Sequence, residues 1–147
     1  MAGPHIPKPG DPRRPLVADD HLVDLLLVAE RIGDSGSRYI VSDDRNFGTL
    51  IKDEPGGTNR PHYHSDWDEW WVVLDGVIEF HLGDETFLAT RGKVVHVPAG
   101  MVHHIQTPER FQKYSLRLAI AKPPAIHIAA PCVVCGFNPE GEPTWEG

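Results

Sequence analysis

Residues 56–76 read GGTNRPHYHSDWDEWWVVLDG, so two histidines and a glutamate lie among turn-forming residues. A second stretch, residues 92–103, reads GKVVHVPAGMVH. Together they offer three imidazoles and one carboxylate, from His62, His64, Glu69 and His103. This mixture of ligands suits first-row transition metals. The two stretches therefore predict one metal site inside a small antiparallel barrel.

Strand geometry explains the spacing. Side chains two residues apart share one face of a strand, so His62 and His64 project side by side. The polar segment 65–68 predicts a turn, after which a strand over 69–74 is expected to return beside the first. Glu69 would then face the same interior. Asp75-Gly76 is a strong signal for a two-residue type I′ hairpin, which we expect to follow this strand.

These two motifs resemble those of the cupin superfamily. The first motif matches at every position, and the second matches through His103 but ends in Thr107, where the family often has Asn. The resemblance covers roughly residues 46–121. It implies an all-β fold, a cupin jelly-roll β-barrel, with a metal bound by His62, His64, Glu69 and His103. It leaves the reaction open, because one fold hosts many functions.

Composition is that of one small globular domain. The chain has 147 residues, of which 40 % are hydrophobic and 24 % are charged. A net charge of −7 argues against nucleic acid or an anionic membrane as the main partner. No apolar run is long enough for a membrane span, and the proline-rich start does not resemble a signal peptide. We expect a cytoplasmic protein that acts on a small molecule.

The chain divides into three parts. Residues 1–16 contain five prolines and are expected to be an extended arm. Residues 17–125 form the single cupin domain, and residues 126–147 a C-terminal tail. The domain would begin with one N-terminal helix from Asp19 or Asp20 to about Ile32, packed on the barrel or on a second copy in a homodimer. Its apolar face would consist of Leu22, Leu25, Leu26, Ala29 and Ile32. The predicted strands are 38–42, 49–52, 69–74, 77–82, 86–89, 94–97, 103–106 and 114–121.

Three residues near the metal motif are candidates for catalysis. Arg60 could hold a substrate carboxylate through paired hydrogen bonds, although a surface ion pair is an equal alternative. Trp71 shares the face of Glu69 and could wall the pocket, whereas Trp70 points the other way. His96, or alternatively His81, could shuttle protons near neutral pH. Weaker pocket candidates are Gln106 and Arg117.

The tail contains both cysteines of the chain, Cys132 and Cys135, in a C-x-x-C pattern. A second, structural metal site would need further ligands, from His127, an acidic residue or another subunit. Free thiols, a disulfide or a redox role are the alternatives.

Locally the chain also resembles bacterial 3-hydroxyanthranilate 3,4-dioxygenases, small cupins with cysteine-pair tails. The likeness lies in Gly56-Gly57 near Arg60, in Arg60 four residues before His64, and in Glu69 followed by Trp70. The chain departs from that family at His62, where the family has Asp, and at Thr107, where it has a substrate-binding Arg. It also has one cysteine pair where the family has two.

Three functions are consistent with these observations. The first is a non-haem Fe(II) dioxygenase acting on a small carboxylated, phenolic or enolic substrate. The second is an oxygen-independent isomerase, decarboxylase or lyase that uses Mn(II), Ni(II) or Zn(II) as a Lewis acid. The third is a non-catalytic cupin that binds a small ligand.

Overall fold

The computed structural model describes residues 22–42, 44–109, 114–123, 126–131 and 144–146. Within these ranges the chain forms one helix and eleven strands, and every strand pairing is antiparallel. The elements are α1 (Leu25–Ile32), β1 (Gly36–Ser42), β2 (Phe47–Asp53), β3 (His62–Tyr63), β4 (Glu69–Asp75), β5 (Val77–Leu82), β6 (Glu85–Thr90), β7 (Val94–Val97), β8 (His103–Gln106), β9 (Ser115–Ala121), β10 (Ile126–Ala129) and β11 (Thr144–Glu146). The prediction of an all-β fold with one helix is confirmed.

The strands form two sheets. The first has the order β1-β2-β9-β4-β7, and the second has the order β11-β10-β3-β8-β5-β6. Alternate residues of β4 are buried, as are Ile78 and Phe80 of β5, which places Val73 of the first sheet and Phe80 of the second in one core. Because side chains alternate across a strand, this pattern gives each sheet one face toward the other. The interior between the sheets is where the functional side chains collect.

The turn at Asp75-Gly76 differs from the prediction. It does not close a hairpin, because β4 pairs with β9 and β7 in the first sheet while β5 pairs with β6 and β8 in the second. Gly76 has a φ of +76°, which lets the chain turn sharply from one sheet to the other. A separate crossing, over residues 64–68, lies between β3 and β4. The prediction that the strand after this segment returns beside the first is therefore wrong, and the histidine pair and Glu69 reach the interior from opposite sheets. By contrast, Gly83-Asp84 closes the predicted hairpin between β5 and β6.

Helix α1 begins later than predicted. Leu22 and Val23 precede it, and Asp24 adopts an extended backbone conformation whose carboxylate accepts a hydrogen bond from the Leu27 N–H at 3.1 Å. This N-cap defines the start of the helix. The buried side chains are those of Val28 and Ala29, which pack on Leu50 and Leu116 on the outer face of the first sheet. Leu22 and Leu26, predicted to lie on the apolar face, are 74 % and 69 % exposed.

The segment predicted as a C-terminal tail contributes two strands to the second sheet. β10 pairs with β3 through Ile128–Tyr63 and Ala129–His62, and β11 pairs with β10. The proline-rich arm of residues 1–16, the predicted N-caps Asp19 and Asp20, and both cysteines, Cys132 and Cys135, lie outside the described residues. In the described ranges, α1 is far too short to cross a lipid bilayer.

Candidate metal centre and its cavity

Four buried side chains converge between the two sheets. They are His62, His64, Glu69 and His103, whose nearest ligand atoms all lie within 4.8 Å of one another. His62 and His103 face each other across the β3–β8 pairing, and Glu69 opens β4 on the opposite sheet. The Glu69 Oε1 atom lies 3.4 Å from His64 Nε2 and 3.3 Å from His103 Nε2. The motif residues therefore form one compact cluster that could bind a divalent metal.

Backbone carbonyls orient all three imidazoles. The Nδ1 atom of His62 lies 2.5 Å from the Arg60 carbonyl oxygen, that of His64 3.0 Å from Ile126 O, and that of His103 2.9 Å from Met101 O. A carbonyl oxygen only accepts, so each Nδ1 carries a proton and each Nε2 is the ring nitrogen left to face the cluster. Holding the remote nitrogen in this way is how proteins orient metal-binding histidines.

The electrostatics of the cluster fit a cation. Burial, together with neighbouring His103 and His127, lowers the pKa of His62 well below its usual value, so this imidazole stays neutral. Burial alone would raise the pKa of Glu69, but its contacts with His103 and His64 bring that pKa well below the ordinary range. His103 Nε2 is buried 3.3 Å from the Glu69 Oε1 atom. Neutral imidazoles and an ionised carboxylate are the forms that bind metal.

A cavity of about 330 Å³ opens onto this cluster. It lies between the sheets, and its size suits a small-molecule ligand. His62 and Glu69 contribute to its wall from the cluster. The remaining wall is part apolar and part polar, and consists of Phe47, Thr49, Ile51, Asn59, Arg60, Trp71, Arg117, Ala119, Ala121 and His127.

Two of the three candidate catalytic residues line this cavity. Trp71 is buried on the inner face of β4, whereas Trp70 is 44 % exposed on the outer face. Arg60 lies in the loop before β3, where its backbone carbonyl also holds His62. Arg117, a weaker candidate from the sequence, is buried in the same cavity.

His96 is not in the cavity. It lies on the exposed outer face of β7, where its ring stacks on Trp70 and its Nε2 lies 2.8 Å from Asp68 Oδ2. Strand alternation places it on the face opposite to that of its buried neighbours Val95 and Val97, so it points away from the cavity, and a proton-shuttle role for His96 remains a prediction. His81, the alternative shuttle, stacks on His104 on the outer face of the second sheet.

One residue that sequence analysis did not place in this site is His127. Its ring lies 4.6 Å from that of His62 and 4.8 Å from that of His64, measured between ring centroids. Strand β10 brings it there by pairing with β3. The sequence contains no local signal for this contact, since more than sixty residues separate the two strands. Trp67 also supports the cluster, because its ring stacks on His64 at 3.7 Å.

Comparison with known proteins identifies the family. A family model described as a cupin domain matches residues 49–111. An uncharacterized protein of Streptomyces coelicolor is 34 % identical over 80 residues, covering 52 % of this chain and 73 % of that protein. Mannose-1-phosphate guanylyltransferase 2 of Escherichia coli O157:H7 is 32 % identical over 75 residues. That match covers 51 % of this chain but only 14 % of the larger enzyme.

Solved structures show the same architecture. A cupin-2 domain containing protein from Shewanella frigidimarina matches with a TM-score of 0.57 and 20 % identity, over 69 % of this chain and 94 % of that one. The polyketide cyclase RemF from Streptomyces resistomycificus matches with a TM-score of 0.53 and 25 % identity, over 63 % of this chain and 69 % of that one. Motifs, topology and family match agree, and this chain belongs to the cupin superfamily.

Proposed function

We propose that this protein is a metal-dependent enzyme that converts a small substrate in the cavity beside the cluster of three histidines and Glu69. The observation that carries this proposal is that His62 and Glu69 belong both to the cluster and to the cavity wall. A molecule in the cavity would therefore contact the metal directly. The leading reaction class is that of a non-haem Fe(II) dioxygenase.

Four protein ligands leave up to two positions on a six-coordinate ion. A bound Fe(II) ion would supply the redox chemistry that couples oxidation of the substrate to O₂. The chain itself would contribute binding and orientation. Arg60 would add positive charge to the wall of the cavity, and Trp71 would form an apolar wall that excludes water from the reacting groups.

A second candidate is oxygen-independent chemistry with Mn(II), Ni(II) or Zn(II). The specific observation in its favour is His127, an imidazole in the cavity beside two ligand histidines. Such a group could hold or move a proton at the substrate. The structural match to a polyketide cyclase points the same way, since closing a ring by condensation needs proton transfer but no oxidant.

The deciding experiment combines metal analysis with oxygen uptake. Protein would be purified without added metal, analysed for its metal content, and then loaded anaerobically with Fe(II) or Mn(II). An oxygen electrode would follow reaction with a panel of phenolic, enolic and carboxylated compounds, and product analysis would be repeated without oxygen. Oxygen uptake that needs Fe(II) would support the dioxygenase, and turnover without oxygen would support the second candidate.

His64→Ala is the control in both cases, because it removes one ligand from the cluster. Turnover that survives in this variant, or absence of stoichiometric metal in the native protein, would refute the proposed function.

A further inference from the structure

We propose that Arg117, with Thr49 and Trp71 beside it, forms a subsite for the anionic group of the substrate, on the cavity wall that the first sheet contributes. The ligand would be a small acid: an oxygen-bearing group at the metal, an apolar body, and a carboxylate at Arg117. This inference rests on the proposed function, because it assumes that a substrate occupies this cavity.

Arg117 is a buried charge with hydrogen-bond donors to spare. Its side chain is 4 % exposed, and its Nη1 donates to Asp53 Oδ2 at 2.5 Å. The Nε atom is buried and has no hydrogen-bond partner among the described residues. A guanidinium carries five N–H donors, and a buried donor left unsatisfied destabilises the folded protein. A bound carboxylate would satisfy these donors as a second acceptor.

Two neighbours of Arg117 in the cavity wall also have buried polar atoms without a hydrogen-bond partner among the described residues. The indole Nε1 of Trp71 and the hydroxyl of Thr49 are buried and lack hydrogen-bond partners within the described part of the chain. The Arg117 guanidinium carbon lies 5.1 Å from the centre of the Trp71 ring, so the cation and the indole are in contact. Folded proteins leave few buried polar groups unsatisfied, and three in one cavity wall call for a common explanation. A ligand with several acceptor oxygens provides it.

Strand register sets the distance between the two ends. On the inner face of β4, Glu69, Trp71 and Val73 follow one another, about 7 Å apart. Arg117 pairs with Val73, two steps from Glu69, and its guanidinium reaches back to the Trp71 ring. Ala119 pairs with both Trp71 and Thr49, so these three residues lie one step from Glu69 and one step from Arg117 along the wall. The cavity therefore fits a molecule with polar groups at opposite ends.

The test compares two probes that differ only in charge at one end. Both 3,4-dihydroxybenzoate and 3,4-dihydroxybenzamide carry the same ring and the same pair of hydroxyls for the metal. Their affinities would be measured by calorimetry on Zn(II)-loaded protein, since Zn(II) does not oxidise them. We expect the wild type to bind the acid at least about tenfold more tightly than the amide, in line with a charge-assisted hydrogen bond.

Arg117→Met should abolish this preference while leaving amide binding within about threefold of the wild type. Arg117→Met leaves the Asp53 carboxylate without its ion-pair partner Arg117, so the double variant Asp53→Asn with Arg117→Met is measured as well. Circular dichroism and zinc analysis check that both variants fold and bind zinc. Thr49→Val and Trp71→Phe keep Arg117 and its ion pair, and each should reduce the preference by several fold.

Equal binding of the two probes by the wild type, failure of the acid to bind, or a preference that survives in both Arg117 variants would overturn the inference. The inference would also be overturned if Arg60→Met lost the preference for the acid while the Arg117 variants kept it. That result would place the anion at the Arg60 loop. Calorimetry reports binding and not turnover, so a protein that binds zinc and the acid but catalyses nothing would refute the proposed function alone.

Discussion

The second sheet carries histidines on both faces, and the two groups behave differently. The inner face carries His62 of β3 and His103 of β8, and His64 directly follows β3. The outer face carries a pair of histidines, His81 and His104. All five are buried. On the inner face each Nδ1 is held by a carbonyl, and the imidazoles surround one carboxylate. On the outer face the two rings stack nearly parallel at 4.1 Å.

The comparison shows that buried histidines alone do not make a metal site. Parallel stacking places the ring nitrogens of His81 and His104 side by side, so they do not point toward a common centre. Glu79 contacts His81, with 3.2 Å between its Oε2 and the His81 Nε2. On the inner face, backbone carbonyls hold the three rings so that their Nε2 atoms point toward the Glu69 carboxylate from the opposite sheet. Adjacent residues, His103 and His104, therefore have opposite predicted roles.

The largest expected effect comes from replacing these adjacent histidines one at a time. His103→Ala removes a ligand, so metal affinity should fall by more than about 100-fold, since loss of a group that merely holds a ligand already costs about 10–100-fold. His104→Ala should bind metal as the wild type does. Elemental analysis after dialysis against a metal buffer measures both. Equal metal loss in the two variants would contradict the distinction between the faces.

Removing the metal should lower the melting temperature of the wild type and of His104→Ala, but not that of His103→Ala. At a metal concentration 100 times the dissociation constant, binding to the folded state adds about 2.7 kcal/mol. For a domain of this size, that corresponds to about 5–10 °C in the melting temperature. Scanning calorimetry with and without a chelator should show this difference in the wild type and in His104→Ala. If His103→Ala also kept it, the bound metal would lie elsewhere.

The backbone hydrogen bond that orients His64 can be disturbed without replacing any of the four candidate metal ligands. Ile126 O accepts the hydrogen bond from His64 Nδ1, and β10 keeps that carbonyl in place. Ile128→Pro removes a backbone N–H from this strand, so metal affinity should fall by about tenfold. Ile128→Ala keeps the N–H and serves as the matched control in the same competition titration. Similar affinities for the two variants would show that β10 does not position His64.

The smallest effect is expected on the outer face of the first sheet. His96→Ala removes contacts with Trp70 and Asp68 that are open to solvent, so the free energy of unfolding should fall by less than about 1 kcal/mol. Urea titration measures this change. Metal content and turnover should match the wild type, and a large loss of turnover would restore His96 as a catalytic candidate.

Sequence analysis predicted the local features well because they depend on short-range rules. Alternation placed Trp71 and Trp70 on opposite faces, and the two-residue turn at Gly83-Asp84 joins a hairpin as expected. The same local rules failed at Asp75-Gly76, where a hairpin signal marks a crossing between sheets. A turn signal specifies a reversal of the chain. Which strands pair after the turn depends on the other strands of each sheet, and here β4 pairs with β7 and β9 while β5 pairs with β6 and β8.

The sequence by itself indicated the family, the all-β fold class and the four residues that could hold a metal, because its two motifs resemble those of cupins. Strand periodicity explains why His62 and His64 are spaced as they are. Tertiary structure alone decided that Glu69 meets the histidines from the opposite sheet and that His127 joins them from β10. It also separated Arg117, which is buried in the cavity, from His96, which is exposed outside it. These outcomes depend on pairings between distant strands, whose energy comes from packing the whole barrel and leaves no signal in any short stretch of sequence.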